Sequence, residues 1–148
     1  METVIENRRA RFDYEILETI EAGIELFGFE VKSAKAGHAQ ISGSFAIIRD
    51  NQAWLIGATI PAFQLANAPK TYDPSRTRRL LLHTKEIKSL IGGAARKGLT
   101  MVPLKMYNKS GYVKLLIGLG RHKKSSDKRE VIKQRESKRE IERTLKTR

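Results

Sequence analysis

From Phe12 to Gly23 the chain alternates. Tyr14, Ile16, Ile20 and Ala22 fall on one face and Asp13, Glu15, Thr19 and Glu21 on the other, with Leu17 and Glu18 out of step. A period of two marks a strand buried on one side. The same pattern predicts strands over residues 28–33 and 45–48, and over 53–60 with Trp54, Ile56, Ala58 and Ile60 on a shared side. Asp50-Asn51 is a hairpin turn between the last two, and Pro61, which has no N–H for a ladder, ends the second. Residues 62–73 show no period, contain Pro69 and read as a surface loop. Leu80-Leu81-Leu82 is a short strand, in which Leu81 alternates away from its neighbours; either it faces outward or all three leucines are core.

The period then lengthens. Ile87, Leu90, Ile91 and Ala94 recur at three- and four-residue spacing, which predicts a helix to about Lys97, capped by His83 or Thr84 and stopped at Gly98. Two further strands, 100–107 and 112–120, pair around 108–111, with Val102, Leu104 and Met106 facing inward on the first and Val113, Leu115, Ile117 and Leu119 on the second. Six or seven short strands, one inserted helix and no alternation of strand and helix argue for a mainly β protein. The expected fold is a small closed antiparallel barrel of the oligonucleotide-binding (OB) type over residues 1–120. Closure also leaves no exposed strand edge.

Residues 121–148 break the pattern altogether. They contain only Val131, Ile132, Ile141 and Leu145 as aliphatics, with no glycine, proline or aromatic residue. So little apolar surface does not offset the entropy of ordering, so this tail is expected to stay unfolded alone. From Asp127 onward its residues nevertheless favour helix, and Glu142 stands four before Lys146 in the stabilising orientation. Arg135, Arg139 and Arg143 would line one face of that helix. An isolated helix of this kind is marginal and forms against a polyanion.

Charge sharpens the picture. The chain carries +13, of which the tail holds +7, leaving +6 on the barrel. Both parts therefore suit nucleic acid. An anionic membrane fits poorly, since no apolar run approaches the roughly 20 residues of a span. There is no cysteine and no apolar signal core near Met1, which points to the cytoplasm. His38, His83 and His122 lie far apart, without metal-ligand spacing, and no phosphate loop or nucleophile motif is present. Neither a catalytic site nor a metal or other cofactor is expected. Glu21 and Glu30 stand out in so basic a body. Each is either half of a salt bridge or an acceptor for base amino and imino groups.

Several ordered motifs carry a resemblance. Glu21-Ala22-Gly23-Ile24, Gly28-Phe29-Glu30-Val31-Lys32-Ser33 and Ala36-Gly37 are followed by Asp73-Pro74-Ser75-Arg76-Thr77-Arg78-Arg79-Leu80-Leu81-Leu82-His83. Gly98-Leu99-Thr100-Met101-Val102-Pro103-Leu104, the stretch 114–120, Lys123-Lys124 and Asp127-Lys128-Arg129 complete the set. From Asn7 onward the chain resembles the small protein B family of bacteria, the SsrA-binding (tmRNA-binding) proteins.

That resemblance implies an OB-type barrel that binds the tRNA-like domain of tmRNA in trans-translation, the rescue of stalled ribosomes. It also implies a tail that becomes helical in the empty decoding centre and mRNA channel of the small subunit. By position, Asn7, Glu21, Leu81 and His83 match places implicated in tmRNA binding, and Lys123, Lys124, Asp127, Lys128 and Arg129 match the tail segment needed for accommodation. The basic residues Arg8, Arg9, Lys32, Lys35, Arg76 and Arg78 join the first group as RNA-contact candidates, and Arg135 and Arg139 the second. Phe12, Tyr72 and Tyr107 are candidate stacking platforms, with core or rim packing as the alternative. The chain departs from the family pattern at Ala34, His122 and Ser126. The implied partners are tmRNA and the ribosome, with the protein a monomer and no enzyme. A resident ribosomal protein, or an RNA-processing enzyme using Glu21 and His83, stays open as another reading.

Overall fold

The computed structural model describes residues 2–64, 66, 68–124, 128–129 and 132–139. Seven strands and three helices make up the head, in the order β1 (Glu2–Glu6), α1 (Arg8–Asp13), β2 (Tyr14–Ile24), α2 (Gly28–Lys35), β3 (Phe45–Arg49), β4 (Gln52–Ile56), β5 (Arg78–Leu81), α3 (Thr84–Lys97), β6 (Thr100–Lys109) and β7 (Tyr112–His122). Every pairing is antiparallel, and the ring β6-β3-β4-β5-β2-β7 closes through β6–β7. The predicted barrel is therefore present. β1 lies outside the ring on β6, pairing along Lys105–Asn108, while β3 meets the earlier part of the same strand at Ala46↔Met101. Beside that short seam, Leu90 of α3 is buried and Leu99 packs against the core, so side chains close what the ladder leaves open.

Inside the ring sit Ala22, Leu55, Leu80, Met106, Leu115 and Ile117, all buried. A second, smaller cluster lies on the outer wall, where Ala10 of α1 covers Val102 and Leu104, with Tyr14, Ile16 and Leu116 around them. Two bulges create it. The β2–β7 register slips between Ile16 and Glu18, and the β6–β7 register between Pro103 and Lys105. A one-residue bulge reverses which side of the sheet every later residue faces. Leu17 is thus the extra residue of β2, and the expected single face divides: Tyr14 and Ile16 point to α1, Ile20 and Ala22 into the barrel. Val102 and Leu104, expected inside with Met106, likewise face α1.

Three further expectations change. Residues 28–33 form helix α2, not a strand, because Glu30 turns back to accept the Phe27 N–H at 2.8 Å and is held there by distant arginines. On β4 the inward residues are Ala53 and Leu55, which leaves Trp54 and Ile56 on the outer surface. Ala58 and Ile60 return inward past Gly57, whose φ of +86° makes the turn that a side chain would strain. β1 and α1 replace what reads in the sequence as a basic terminus.

β7 continues to His122, where the ring meets Tyr14 edge-on at 5.0 Å and Lys123 N–H donates to Asp13 O at 2.8 Å. The strand thus runs two residues past Gly120, and backbone bonding to the head reaches Lys123. Residues 128–129 and 132–139 are helical, and all of 132–139 are exposed. Their footing on the head is polar. Lys128 Nζ lies 2.9 Å from Asp13 Oδ1, and the Lys128 and Arg135 cations lie 5.8 and 5.6 Å from the Phe12 ring centre. Contacts of this kind give a marginal helix a place to start, which the sequence pattern alone does not reveal. Val131, Ile141, Glu142, Arg143, Leu145 and Lys146 of that pattern lie outside the described residues.

Candidate nucleic-acid interface

One open cleft of about 590 Å³ collects residues from five places in the chain: Glu21 and Gly23 of β2, Asn51 and Gln52 at the start of β4, Arg79 and Leu81 of β5, His83 and Glu86 at the start of α3, and Lys114 of β7. Register explains the grouping. Gly23 pairs with Leu81 on one side and with Lys114 on the other, so β2 carries the cleft floor. A Cβ on Gly23 would come 3.1 Å from Leu81 Cβ, and the missing side chain is what lets the two strands bring Leu81 so close. Leu81 is 48% exposed between the buried Leu80 and the half-buried Leu82, as the outward reading has it.

His83 stands immediately before α3. Its backbone N–H donates to Glu86 Oε1 at 3.0 Å, the glutamate half of a capping box, which steadies the helix start and leaves the exposed ring at the cleft edge. Glu21 is held from the other side. Tyr107 Oη donates to Glu21 Oε2 at 2.5 Å and Lys109 Nζ lies 3.2 Å from the same oxygen. The Tyr107 hydrogen bond, joined by Lys109 and Lys114, outweighs the desolvation cost and holds the carboxyl below its ordinary range. Glu21 is thus ionised at neutral pH, an acceptor with lone pairs to spare. Burial and the Glu21 carboxylate push the Tyr107 phenol well above its usual range, so it stays a donor.

Other candidates are placed differently. Lys32 and Lys35 are exposed on α2, and Lys35 Nζ donates to Gly111 O at 2.8 Å, at the tip of the β6–β7 hairpin next to Lys109. Arg8 and Arg9 lie exposed on α1, beside Glu6 and Asp13. Asn7 is buried: its side chain accepts from Ala10 N–H and donates to Ile41 O and Pro103 O, tying α1 to the barrel. Arg78 is fully buried and Arg76 half-buried, and both arginines bind Glu30. Asn7 and Arg78, both RNA-contact candidates in the sequence, are thus buried and bonded within the head.

The Glu30 cluster is the most elaborate polar feature of the head. Its Oε1 accepts from Phe27 N–H and from Arg76 Nη2 at 2.5 Å, and its Oε2 from Tyr72 Oη at 2.7 Å and Arg78 Nη2 at 2.7 Å. Arg78 also donates to Ala58 O and Pro74 O, which pins the loop before β5. Burial raises the Glu30 pKa, but the bonds from Arg76, Phe27, Tyr72 and Arg78 overcome it and leave the carboxyl below its ordinary value. Of the candidate stacking aromatics, Tyr107 is buried, Tyr72 is bonded to Glu30 and Ile60 O, and Phe12 lies under the tail cations.

Among tail candidates, Lys123 Nζ donates to Arg11 O at 3.1 Å, Lys128 holds Asp13, and Lys124, Arg129, Arg135 and Arg139 are exposed. Asp127 and Ser126 lie outside the described residues. From Tyr14, where the tail leaves, to Glu21 in the cleft, β2 spans roughly 20 Å. No helix among the described residues is long and apolar enough to cross a membrane.

Comparison with known proteins finds relatives along nearly the whole chain. The SmpB protein family model matches residues 4–147. An SsrA-binding protein of Synechococcus elongatus is 53% identical over 141 residues, covering 95% of this chain and 92% of its own. The SsrA-binding protein of Synechocystis is 50% identical over 146 residues, covering 99% and 95%. A solved structure described as "tmRNA-SmpB: a journey to the center of the bacterial ribosome" superposes with a TM-score of 0.67 at 50% identity, over 83% of this chain and 86% of the other. On the strength of a match along nearly its whole length, the chain belongs to the SmpB family.

Proposed function

We propose that this protein is the tmRNA-binding factor of trans-translation. It carries no chemistry of its own: the head grips the tRNA-like domain of tmRNA, and the tail meets ribosomal RNA in the decoding centre and mRNA channel of a stalled ribosome. The observation that carries the reading is the cleft. Glu21, Leu81 and His83, far apart in sequence, converge there beside Arg79 and Lys114. The chemistry suits a folded RNA with an exposed nucleotide. Leu81 offers an apolar contact, Arg79 and Lys114 neutralise phosphate, and the ionised Glu21 accepts from a base amino or imino group. The N-terminus of α3 beside His83 adds a favourable field for phosphate.

The tail's role follows from its composition and its place. It is basic, its described residues 132–139 are exposed, and its footing lies at the end of β2 remote from the cleft, which suits it to engage a second nucleic acid. Filter binding with the transcribed tRNA-like domain tests the reading. Glu21→Gln makes the protein more basic, yet it should weaken binding by about tenfold, the worth of a hydrogen bond to a charged group. Unchanged or tighter binding would reduce Glu21 to a surface charge.

A further inference from the structure

Trp54 is the sole tryptophan of the chain, and its alternation in β4 predicts an inward side chain. The structure turns it outward instead. On the outer face of β3-β4-β5 it stands between Ile47, its partner on β3, and Arg79, its partner on β5. The indole N–H donates to Arg49 O at 3.3 Å, which fixes the ring across the sheet. A shallow hollow of about 330 Å³ lies against it, lined by Ile47, Arg49, Asp50, Ile56 and Thr77. The cleft lies on the same face: Arg79, which faces Trp54 across the ladder, lines the cleft with Leu81, two residues further along β5. Two residues of strand are about 7 Å, close to the spacing of neighbouring nucleotides in an opened strand.

We infer that the Trp54 hollow is a second base-binding subsite: an unstacked nucleobase of the RNA held in the cleft lies on the indole, with Arg79 bridging its phosphate. An aromatic face beside cations that meet the phosphates, here Arg79 and Arg49, is the arrangement by which single-stranded segments are held without sequence readout. Arg49 adds a second cation at the rim, and Asp50, the acidic member of the lining, stands at the turn end. This inference rests on the cleft binding RNA.

The full chain carries its own probe, since all tryptophan emission comes from Trp54. Wild-type protein would be titrated with the tRNA-like domain transcript, recording emission and filter binding on the same samples, with Trp54→Phe and Trp54→Ala alongside. Stacking predicts emission quenched by about half at saturation, affinity nearly kept by Trp54→Phe, and a loss of about tenfold in Trp54→Ala. Should Trp54→Ala fail to fold, Arg79→Gln in the tryptophan-bearing chain still reports, and it should reduce both affinity and quenching. RNA retained on the filter with emission unchanged, or Trp54→Phe binding no better than Trp54→Ala, overturns the subsite while leaving the cleft intact. Failure of the wild-type protein to bind the transcript overturns the cleft reading itself. Emission that shifts with protein concentration before RNA is added gives the face to a second copy of the chain and likewise overturns the subsite.

Discussion

Glu30 and Glu21 are the two acidic residues that a basic chain makes conspicuous, and their surroundings give them different work. Glu30 has no exposed surface and satisfies two arginines, a tyrosine and a backbone N–H at once. Removing its charge leaves Arg78 buried without a counter-ion, so Glu30→Gln should cost about 3–5 kcal/mol in urea unfolding. The pH dependence has a definite sign. Because the folded-state pKa lies below the unfolded one, the stabilisation is complete above the ordinary carboxylate range and is lost as pH falls through the lowered folded value. Wild type should lose more stability on acidification than Glu30→Gln, and acid titration followed by circular dichroism measures the difference. Glu21 belongs to the surface, and its substitution should leave the melting temperature nearly unchanged while weakening RNA binding. Gly23 is a residue of another kind: Gly23→Ala should displace Leu81 by a few tenths of an ångström and weaken tmRNA binding without unfolding the barrel, as shift perturbations confined to the cleft would show.

At the scale of elements, what the sequence discloses follows how local the cause is. The β3–β4 hairpin around Asp50-Asn51, helix α3 ending at Gly98 and the β6–β7 hairpin are all set by neighbours in sequence, and all three are legible. Helix α2 is not. Phe29 and Val31 alternate with polar residues as a strand would, while the partners that make Glu30 a buried helical residue, Arg76 and Arg78, arrive from far along the chain. The same distance hides Arg78, which reads as one more phosphate contact in a run of arginines. Bulges are equally silent in sequence, so Tyr14, Ile16, Val102 and Leu104 read as barrel interior although they serve α1.

In the candidate site, alternation offers the outward turn of Leu81 as one of two readings, and the structure takes that one. The cleft that joins it to Glu21 and His83 follows only from register. The tail's footing is likewise a tertiary fact, and it too depends on pH. Lys128 hydrogen-bonds Asp13 and holds its carboxyl below the ordinary range, with Arg9 assisting. The contact is therefore intact at neutral pH and is lost on acidification through that lowered value. Asp13→Asn should free the tail helix at neutral pH, seen as faster amide exchange over residues 132–139 with the barrel amides unaffected.

For the whole molecule, the charge of +13 is divided between residues 1–120 and 121–148, and the proposed function gives each part its own nucleic acid. Head binding to tmRNA should weaken steeply with salt, with a log–log slope of about −0.7 to −0.9 per phosphate contacted. On the proposed function, the separation of roughly 20 Å along β2 between the cleft and the tail's exit gives room for a tRNA mimic at one end and ribosomal RNA at the other. The central claim is that the grip belongs to the head alone. Its most direct test is the affinity of a chain ending at Lys124 for the tRNA-like domain, read beside peptide tagging on stalled ribosomes. Truncation should leave the affinity nearly unchanged and abolish tagging; an affinity loss of tenfold or more, about 1.4 kcal/mol, would contradict the division between head and tail.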